Sequence, residues 1–494
     1  MKTIKNKFFL KDWMEIQPYA IPSAEDTYFL QLANKMLGVV GERMEDVFSL
    51  QTQRSIALSV TAYFQDIISE FGLWKGFINK HFSMYGKYLP FYNLSQEYES
   101  ANINPEDIYF IIWSIAELEG KNKGKFLNPE NSRITMLGNL LYEIIENEYE
   151  IAPDNDILRN YFNNINYDDF FYFRETLTWL YYNSYLLFPY TEGKIQEQRE
   201  ELNKFKKKQT KTNLNAIAYS TFHESAINTP IGSLALRSHE WIAAIVGENT
   251  KIGKMLLETQ LRFKLPRTYL IESEDEQTFT LLPFNSDKPL KLQKDSLSKY
   301  FFEIPTKGGM LCSLIFYNGK WLMNGFIVDV DNQEFFKDKQ EFEKQNENIE
   351  HTKKLFYKAY PNKTIVYSHG KEQLIINFQK VFQNITKDNL KNFDDDADFI
   401  TFLDKEDKLI TMGDIATFIK EKDNPCYDKY KAEEYGICVF AEFEIPQNII
   451  EYLIKNNLLP DIKINSNKGE KRGKELVQEN LDFLFRFFQP ESFR

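Results

Sequence analysis

The chain has 494 residues, of which 43% are hydrophobic and 15% aromatic, and its formal net charge is −12. This length exceeds one ordinary hydrophobic core, and the apolar content suffices for about two to four folded domains, which argues against wholesale disorder. The acidic excess argues against a general nucleic-acid-binding protein, because such proteins need a basic surface to displace counterions from phosphate.

The number of cysteines and the lack of long apolar runs indicate the cellular compartment of the protein. Three cysteines, Cys312, Cys426 and Cys438, are too few and too scattered for a disulfide framework or a cysteine-rich zinc site. The N-terminal apolar run spans only residues 8–10, far short of a signal-peptide core, and no stretch approaches the roughly 18 apolar residues of a membrane span. We therefore expect a cytoplasmic protein that does not associate with membranes.

Residues 1–190 are predicted to form a helical domain. Asn104-Pro105 is followed by two acids and predicts a helix start, since proline suits the first turn and acids suit the positive end of the helix dipole. Apolar residues at helical spacing predict further helices at 45–71, 135–148 and 168–187.

Between residues 191 and 213 the chain loses its apolar residues and gains a run of lysines that ends at Lys211. We interpret this segment as a charged linker and as the clearest domain boundary in the sequence. A second helical region is predicted over residues 214–262.

Residues 263–331 have the pattern of consecutive short strands joined by sharp turns. The clearest turn is Asn318-Gly319 between two apolar runs, because both central residues of a type I′ hairpin turn need positive φ. Strands predicted at 268–271 and 278–283 flank an acidic turn at 272–276. At least four strands in this space predict a small β-barrel of the SH3-like or OB-like type, or else a curled meander.

Residues 332–494 are predicted to form a mixed C-terminal domain, entered by a polar helix over 332–358. The predicted strands are 364–367 and 437–443. The predicted helices are 373–385, 412–420, 446–456 and 473–488. The expected fold class is thus α+β, with a helical N-terminal half, a β-barrel module in the middle and a mixed C-terminal domain.

Two His-Glu pairs, His223-Glu224 and His239-Glu240, supply side chains that bind metals or transfer protons. Metalloproteases of the His-Glu-x-x-His type place two histidines one helical turn apart, whereas positions 223 and 239 lie sixteen residues apart. We interpret both pairs as structural, and whether they converge with other groups is left open.

The acidic run Asp394-Asp395-Asp396-Ala397-Asp398 is a candidate for divalent cations. Counted from Asp394, an EF-hand loop needs a glycine at position six and a glutamate at position twelve, and Phe399 and Lys405 stand there. We therefore interpret the run as a solvated turn.

Lys471, Arg472 and Lys474 precede or begin the last predicted helix and are candidates for binding an anion at a helix N-terminus. The spacing of Gly469 and Gly473 does not match a phosphate-binding Walker loop, and Glu475 stands where that loop has serine or threonine. A positively charged surface turn is the alternative interpretation.

Three aromatic residues of the barrel, Tyr317, Trp321 and Phe326, are the candidate binding residues, because small barrels recognise ligands through exposed aromatics. Strand alternation places about half of such residues in the core, so the exposure of Trp321 is the decisive observation. No Ser/His/Asp or Cys/His set can be assembled by pattern, so catalytic residues are unassigned and no cofactor or metal is expected.

Several short motifs together resemble a known family. They are Trp13 with Gln17-Pro18-Tyr19 and Asp26-Thr27-Tyr28, Leu89-Pro90-Phe91-Tyr92 with Asp107-Ile108, and Asn480-Leu481-Asp482-Phe483 with Arg486-Phe487-Phe488. These segments resemble an uncharacterised family of large intracellular proteins from gut anaerobes, catalogued as a domain of unknown function. The resemblance implies one integrated architecture and brings no catalytic residues.

The function expected from the sequence is a non-enzymatic binding or scaffold role, in which the barrel and an adjoining helical groove contact a protein partner. A metal-dependent hydrolase or nuclease-like enzyme that uses Glu224, His239 and Asp394 is a second possibility. A nucleic-acid-associated protein that uses the lysines near Lys206 and the barrel aromatics is a third, although the net charge disfavours it. Enzymatic activity and oligomeric state are left open.

Overall fold

The computed structural model describes residues 7–94, 98–120, 126–191, 193, 200, 221–257, 262–297, 308–382, 384–462 and 464–494. Within the barrel strands, the side chains of residues 262–267, 326, 328 and 329 lie outside the described set. The chain divides into two compact units, one of residues 1–120 and 127–332 and the other of residues 121–126 and 333–494. The fold class is α+β, as predicted.

The first unit begins with the predicted helical domain. Its described helices up to residue 183 are α1 (Leu10–Met14), α2 (Glu25–Met44), α3 (Leu50–Ile68), α4 (Leu73–Tyr85), α5 (Pro105–Gly120), α6 (Ser132–Glu148), α7 (Asp156–Arg159) and α8 (Phe170–Asn183). Residues 188–191 and 221–228 are also helical, and α9 (Ser238–Val246) and α10 (Lys251–Leu257) follow. No described helix combines the length and the apolar character that a bilayer crossing requires.

Capping residues determine where several of these helices begin. Helix α3 starts at Leu50 rather than near residue 45, because the Ser49 hydroxyl accepts the Thr52 N–H at 3.2 Å. Pro105 is the first residue of α5, as the sequence predicts. Asp169 caps α8 by accepting the N–H groups of residues 171 and 172 at 3.0 and 3.3 Å.

Buried carboxylates connect these helices through aromatic hydroxyls and backbone N–H groups. Asp66, at the end of α3, accepts the Gly72 and Trp74 N–H groups at 2.6 and 2.7 Å and the Tyr185 hydroxyl at 2.6 Å. It therefore caps α4 and fixes the chain that follows α8. Such groups are stable in a core only when their oxygens are hydrogen-bonded.

Five strands then close into a barrel, which confirms the predicted β module. They are β1 (Arg262–Glu274), β2 (Thr278–Pro283), β3 (Leu290–Gln293), β4 (Gly309–Tyr317) and β5 (Lys320–Val330), in the order β1-β2-β3-β5-β4. The pair β3–β5 is parallel and the other pairs are antiparallel. This Greek-key order is that of an OB-like barrel, the second of the two predicted types.

The predicted hairpin joins β4 to β5. Asn318 and Gly319 have φ values of 47° and 78°, so both central residues adopt the left-handed conformation that a type I′ turn requires. The barrel interior is filled by one cluster of mainly aliphatic and aromatic side chains. Its buried members are Tyr269, Phe279, Leu281, Leu290, Leu292, Leu297, Met310, Cys312, Leu314 and Met323.

The second unit combines a three-stranded antiparallel sheet with short helices. Helix α11 (Asn332–Ala359) enters it, and the sheet has the order β6 (Ile365–His369), β7 (Asp398–Leu403), β8 (Leu409–Gly413). The other helices described in this unit are α12 (Gly370–Val381), α13 (Lys429–Tyr435), α14 (Cys438–Ala441), α15 (Gln447–Lys455), α16 (Glu470–Gln478) and α17 (Leu481–Phe488).

Two element predictions for this unit are wrong. The strand predicted at 437–443 is the short helix α14, and the helix predicted at 412–420 is the end of β8 followed by a 3₁₀ turn at Ile415–Phe418. Both segments are short apolar runs, whose periodicity does not separate a strand from a buried helix.

The division into units differs from the predicted domain boundaries in one respect. The second unit comprises residues 121–126 and 333–494, and the helical regions before and after the predicted linker belong to the same unit as the barrel. Within the linker, 191–213, only residues 191, 193 and 200 are described, and the rest lies outside the described residues.

Candidate functional site

Helix α8 and the chain just before it contact the β4–β5 hairpin of the barrel. Tyr317 is 2% exposed, and its hydroxyl donates a hydrogen bond to the carbonyl of Tyr167. Its ring lies 5.3 Å from that of Phe170 and stacks on Phe173 at 5.9 Å between ring centroids. Aromatic pairs at this separation add stabilisation beyond the area that they bury. The barrel is therefore anchored on the helical domain by its hairpin.

A buried polar contact reinforces this attachment. Arg174 of α8 donates from Nη1 to the Asn324 side-chain oxygen of β5 at 3.0 Å, and both side chains are buried. Ser313 of β4 donates its hydroxyl hydrogen to the Glu224 carboxylate in the helical segment 221–228. Hydrogen bonds to charged groups in a buried setting are stronger than neutral ones, so the helices and the barrel strands hold a fixed relative position.

A groove of about 400 Å³ opens between the N-terminus of α8 and the barrel. The residues described along it are Asp168, Asp169, Phe170, Phe171, Asp295, Ser296, Tyr317, Asn318, Lys320 and Leu322. Phe170 and Tyr317 are buried and supply an aromatic floor, while Asp168, Asp295 and Lys320 are exposed at its rim.

The groove is acidic. Three aspartates, Asp168, Asp169 and Asp295, face one lysine, Lys320, which gives these residues a formal net charge of −2. Asp169 caps α8, whereas the hydrogen bond that Asp168 accepts from the described residues is a long one, 3.4 Å, from the Asn318 amide. Because carboxylates outnumber the single lysine among the described lining residues, the charge of the groove favours a cationic group.

The three aromatic residues predicted to bind a partner have different surroundings. Tyr317 packs against α8 and is 2% exposed, so the little surface that it keeps belongs to the lining of the groove. Trp321 is half-buried, packs against the barrel core and lies 5.1 Å from the Phe316 ring. Phe326 belongs to β5, but its side chain lies outside the described residues. Partner binding by these three residues stays a prediction, and it now depends on Trp321 and Phe326.

The two His-Glu pairs lie in packed surroundings, which agrees with their structural interpretation. His223 is buried, its Nδ1 lies 3.0 Å from the Thr178 hydroxyl, and burial together with the Arg174 charge lowers its pKa to about 3. Burial likewise lowers the pKa of His239 to about 3. Glu240 accepts the Arg237 N–H at 2.6 Å and so caps α9. Both histidines are neutral at physiological pH, which suits packing rather than proton transfer.

The candidate anion-binding residues lie inside α16 rather than in a turn ahead of the last helix. Gly469 has a φ of 94° and precedes the first helical residue, Glu470. Lys471 and Arg472 pair with Glu475 at 3.7 and 3.8 Å, and Lys474 pairs with Glu470 at 3.5 Å. Three cations pair with two carboxylates on the same helix, so these residues keep a formal net charge of only +1 with which to attract a phosphate.

The acidic run divides into a loop and a strand. Asp394, Asp395 and Asp396 are exposed as predicted, and Asp395 pairs with Lys371 at 2.8 Å. Asp398 instead begins β7 and lies opposite His369 at the end of β6.

Among the described residues, the structure brings together one group of three potential metal ligands, His369, Asp398 and Cys426, whose ligand atoms all lie within 4.8 Å of one another. The group contains neither Glu224, His239 nor Asp394, the set considered from the sequence. Sequence reasoning missed it because His369 and Cys426 are 57 positions apart and no motif links them. The available signal was the register of β6 and β7, which pairs His369 with Asp398 once the strands are assigned.

Comparison with known proteins adds a family but no activity. A family model described as a protein of unknown function (DUF3843) matches residues 7–332 and 324–489. No curated protein matches the chain, and no solved structure does.

Proposed function

We propose that the chain, which belongs to this family of proteins of unknown function, is a non-enzymatic binding protein. We place it in the cytoplasm, and its partner is another protein. The binding site is the acidic groove between α8 and the barrel, and the recognised feature is a basic segment of the partner. The observation that carries the proposal is a groove of about 400 Å³ with an aromatic floor and three aspartates against one lysine.

The size and the rigidity of the groove support this function. Sites of about 300–1,000 Å³ accommodate small ligands or a few side chains, and the groove lies within that range. Its two walls are joined by the Tyr317 and Arg174 hydrogen bonds, so binding requires little ordering of the protein. An arginine or lysine of the partner gains attraction from the aspartates and contact with the aromatic floor.

Charge separates this proposal from the nucleic-acid alternative. The groove carries a net negative charge, and the β1–β2 turn adds the exposed acids Glu274, Asp275 and Glu276. Phosphate groups would be repelled by both surfaces. The lysines near Lys206, on which that alternative depends, lie outside the described residues.

The experiment is photo-cross-linking of the full-length protein inside its own host. A photoreactive phenylalanine analogue replaces Lys320 at the rim of the groove, and the matched control carries it in place of Glu276, which is equally exposed but does not line the groove. We expect a discrete cross-linked protein from position 320 and none of the same mass from position 276. The cross-linked peptide, sequenced by mass spectrometry, should contain lysine or arginine next to the attachment site.

Two outcomes would count against the proposal. One is identical cross-linking from both positions, which means random collision. The other is an absence of cross-links at position 320 together with elution of the native protein as a partner-free monomer in size-exclusion chromatography.

A further inference from the structure

Two strands of the second unit place a histidine and an aspartate side by side. His369 ends β6, Asp398 begins β7, and the antiparallel register sets them opposite each other. The His369 Nδ1 atom lies 2.7 Å from Asp398 Oδ1. The Cys426 sulfur completes a group in which the nitrogen, oxygen and sulfur atoms are all within 4.8 Å of one another. Three separate segments of the chain thus converge on one point.

The loop that carries Cys426 is held in place by buried hydrogen bonds. Asn424 donates from its amide to the carbonyls of Ala416 and Ile419 at 2.7 and 2.6 Å. Its side-chain oxygen accepts the Cys426 N–H at 2.9 Å. The N–H of Asp414 donates to the Asp398 carbonyl at 2.6 Å. The position of the thiol relative to Asp398 is therefore set by the fold rather than by a flexible loop.

We propose that His369, Asp398 and Cys426 bind one Zn²⁺ ion. Imidazole nitrogen, thiolate sulfur and carboxylate oxygen are the three ligand types that this ion takes in proteins. Zinc–ligand bonds of about 2.0–2.3 Å in a tetrahedral site place ligand atoms roughly 3.3–3.8 Å apart. The His369–Asp398 distance of 2.7 Å is shorter than this range and the limit of 4.8 Å is longer, so shifts of about 1 Å bring the three atoms to bonding distance from one ion.

The donor set distinguishes Zn²⁺ from other cations. Mg²⁺ and Ca²⁺ need several oxygen ligands, and this group offers one carboxylate. Sites for Cu⁺ use sulfur ligands predominantly, and this group offers one sulfur. Sequence analysis predicted no metal, because the three residues share no motif.

The spatial arrangement of the three side chains disfavours a role for Cys426 as a nucleophile. In such sites the histidine lies between the nucleophile and the acid, so that it removes the proton from the thiol. Here the histidine is bonded to the aspartate, and the aspartate is the group next to Cys426. A carboxylate beside a thiol opposes thiolate formation, whereas a bound cation stabilises both charges.

The exposure of the ligands indicates an open site. Cys426 is 6% exposed, the Asp398 side chain 17% and the His369 side chain 78%. The ion would enter from the histidine side, and three protein ligands leave a fourth position for water. This pattern of three ligands and one open position differs from closed structural zinc sites, which have four protein ligands.

The experiment is a zinc titration of the full-length protein after chelator treatment, under reducing conditions, in competition with a chromogenic chelator. The test variants are His369→Asn and Cys426→Ser, and the matched controls are His351→Asn and Cys438→Ser, which change the same residue types outside the group. We expect one Zn²⁺ per chain, at least tenfold weaker binding in both test variants, and binding within twofold of the original in both controls.

Co²⁺ substitution gives a second readout that a purely structural role would not produce. A thiolate-to-metal charge-transfer band should appear in the original protein and in Cys438→Ser and be absent in Cys426→Ser. Because the His369 side chain is largely exposed, His369→Asn should fold normally, so the proposal remains testable if Cys426→Ser does not fold. Absence of saturable Zn²⁺ binding, or equal affinity in the original protein and His369→Asn, would overturn it.

Discussion

Asp107 shows how a single buried group links the helices of the first unit to solution pH. Its carboxylate accepts the hydroxyls of Tyr63 and Tyr98 at 2.8 and 2.9 Å and the Asn104 amide at 3.2 Å. Burial raises the pKa of this carboxyl from 3.8 to about 7, although the three hydrogen bonds oppose the shift. Between about pH 4 and pH 7 the folded protein therefore holds a proton at Asp107 that the unfolded chain releases.

The stability of the first unit should consequently fall as the pH rises through this window. Between about pH 4 and pH 7 the folded state binds more protons than the unfolded state, so the free energy of unfolding decreases with pH, by up to about 4 kcal/mol for a shift of this size. Asp107→Asn removes the titrating group. We expect the original protein to lose stability relative to Asp107→Asn between about pH 4 and pH 7 in urea unfolding followed by tryptophan fluorescence.

An exposed aspartate provides the control. Asp46→Asn, at a solvent-exposed position, should keep the pH profile of the original protein. Glu117, whose pKa burial raises to about 8, titrates in all three proteins and cancels in the comparison. Parallel profiles for the original protein and Asp107→Asn would show that the carboxyl at position 107 is already ionised in the fold.

At the scale of single residues, the sequence indicates which side chains could bind a ligand but not which side chains they contact in the fold. The structural interpretation of His223 and His239 stays a prediction, which burial and the lowered pKa of each imidazole support. His369 and Cys426 were missed, since their proximity depends on a strand register and on a loop held by Asn424. The run that contains Asp398 is interpreted as a solvated turn because it fails the EF-hand pattern, whereas Asp398 itself begins β7.

The β4–β5 hairpin offers a prediction for a single element. Gly319 has a φ of 78°, and a Cβ there would meet no atom within 4 Å, so Gly319→Ala carries only the backbone strain of a left-handed alanine. We expect a loss of about 1 kcal/mol in the free energy of unfolding. Gly38→Ala, in the exposed interior of α2 with the same open surroundings, should instead stabilise by about 0.5–1 kcal/mol. Thermal or urea unfolding measures whether each variant gains or loses free energy of unfolding. A gain in Gly319→Ala would refute the type I′ turn.

Elements with strong local signals were predictable. The helix at Pro105 and the Asn318-Gly319 turn follow from capping and turn chemistry within a few residues. The segments 412–420 and 437–443 were not predictable, because their short apolar runs fit either period and tertiary packing decides between them.

At the scale of the whole molecule, the barrel and the helical domain form one unit although a charged segment separates them in sequence. The attachment depends on residues 150 positions apart, Tyr167 with Tyr317 and Arg174 with Asn324. No local pattern encodes such pairs. The strand content of the barrel was therefore predictable, while the acidic groove that the attachment creates was not.

The central claim is that this groove binds a basic segment of a protein partner. The most direct measurement is the dissociation constant, by calorimetry, between the purified partner from the cross-linking experiment and three forms of the full-length protein. These forms are the original, the double variant Asp168→Lys/Asp295→Lys, and the charge-matched control Glu272→Lys/Glu276→Lys. We expect the groove variant to bind at least tenfold more weakly, a loss of about 1.4 kcal/mol, and the control to bind within twofold of the original. Equal affinity of the groove variant and the original, or an equal loss in the control, would contradict the claim.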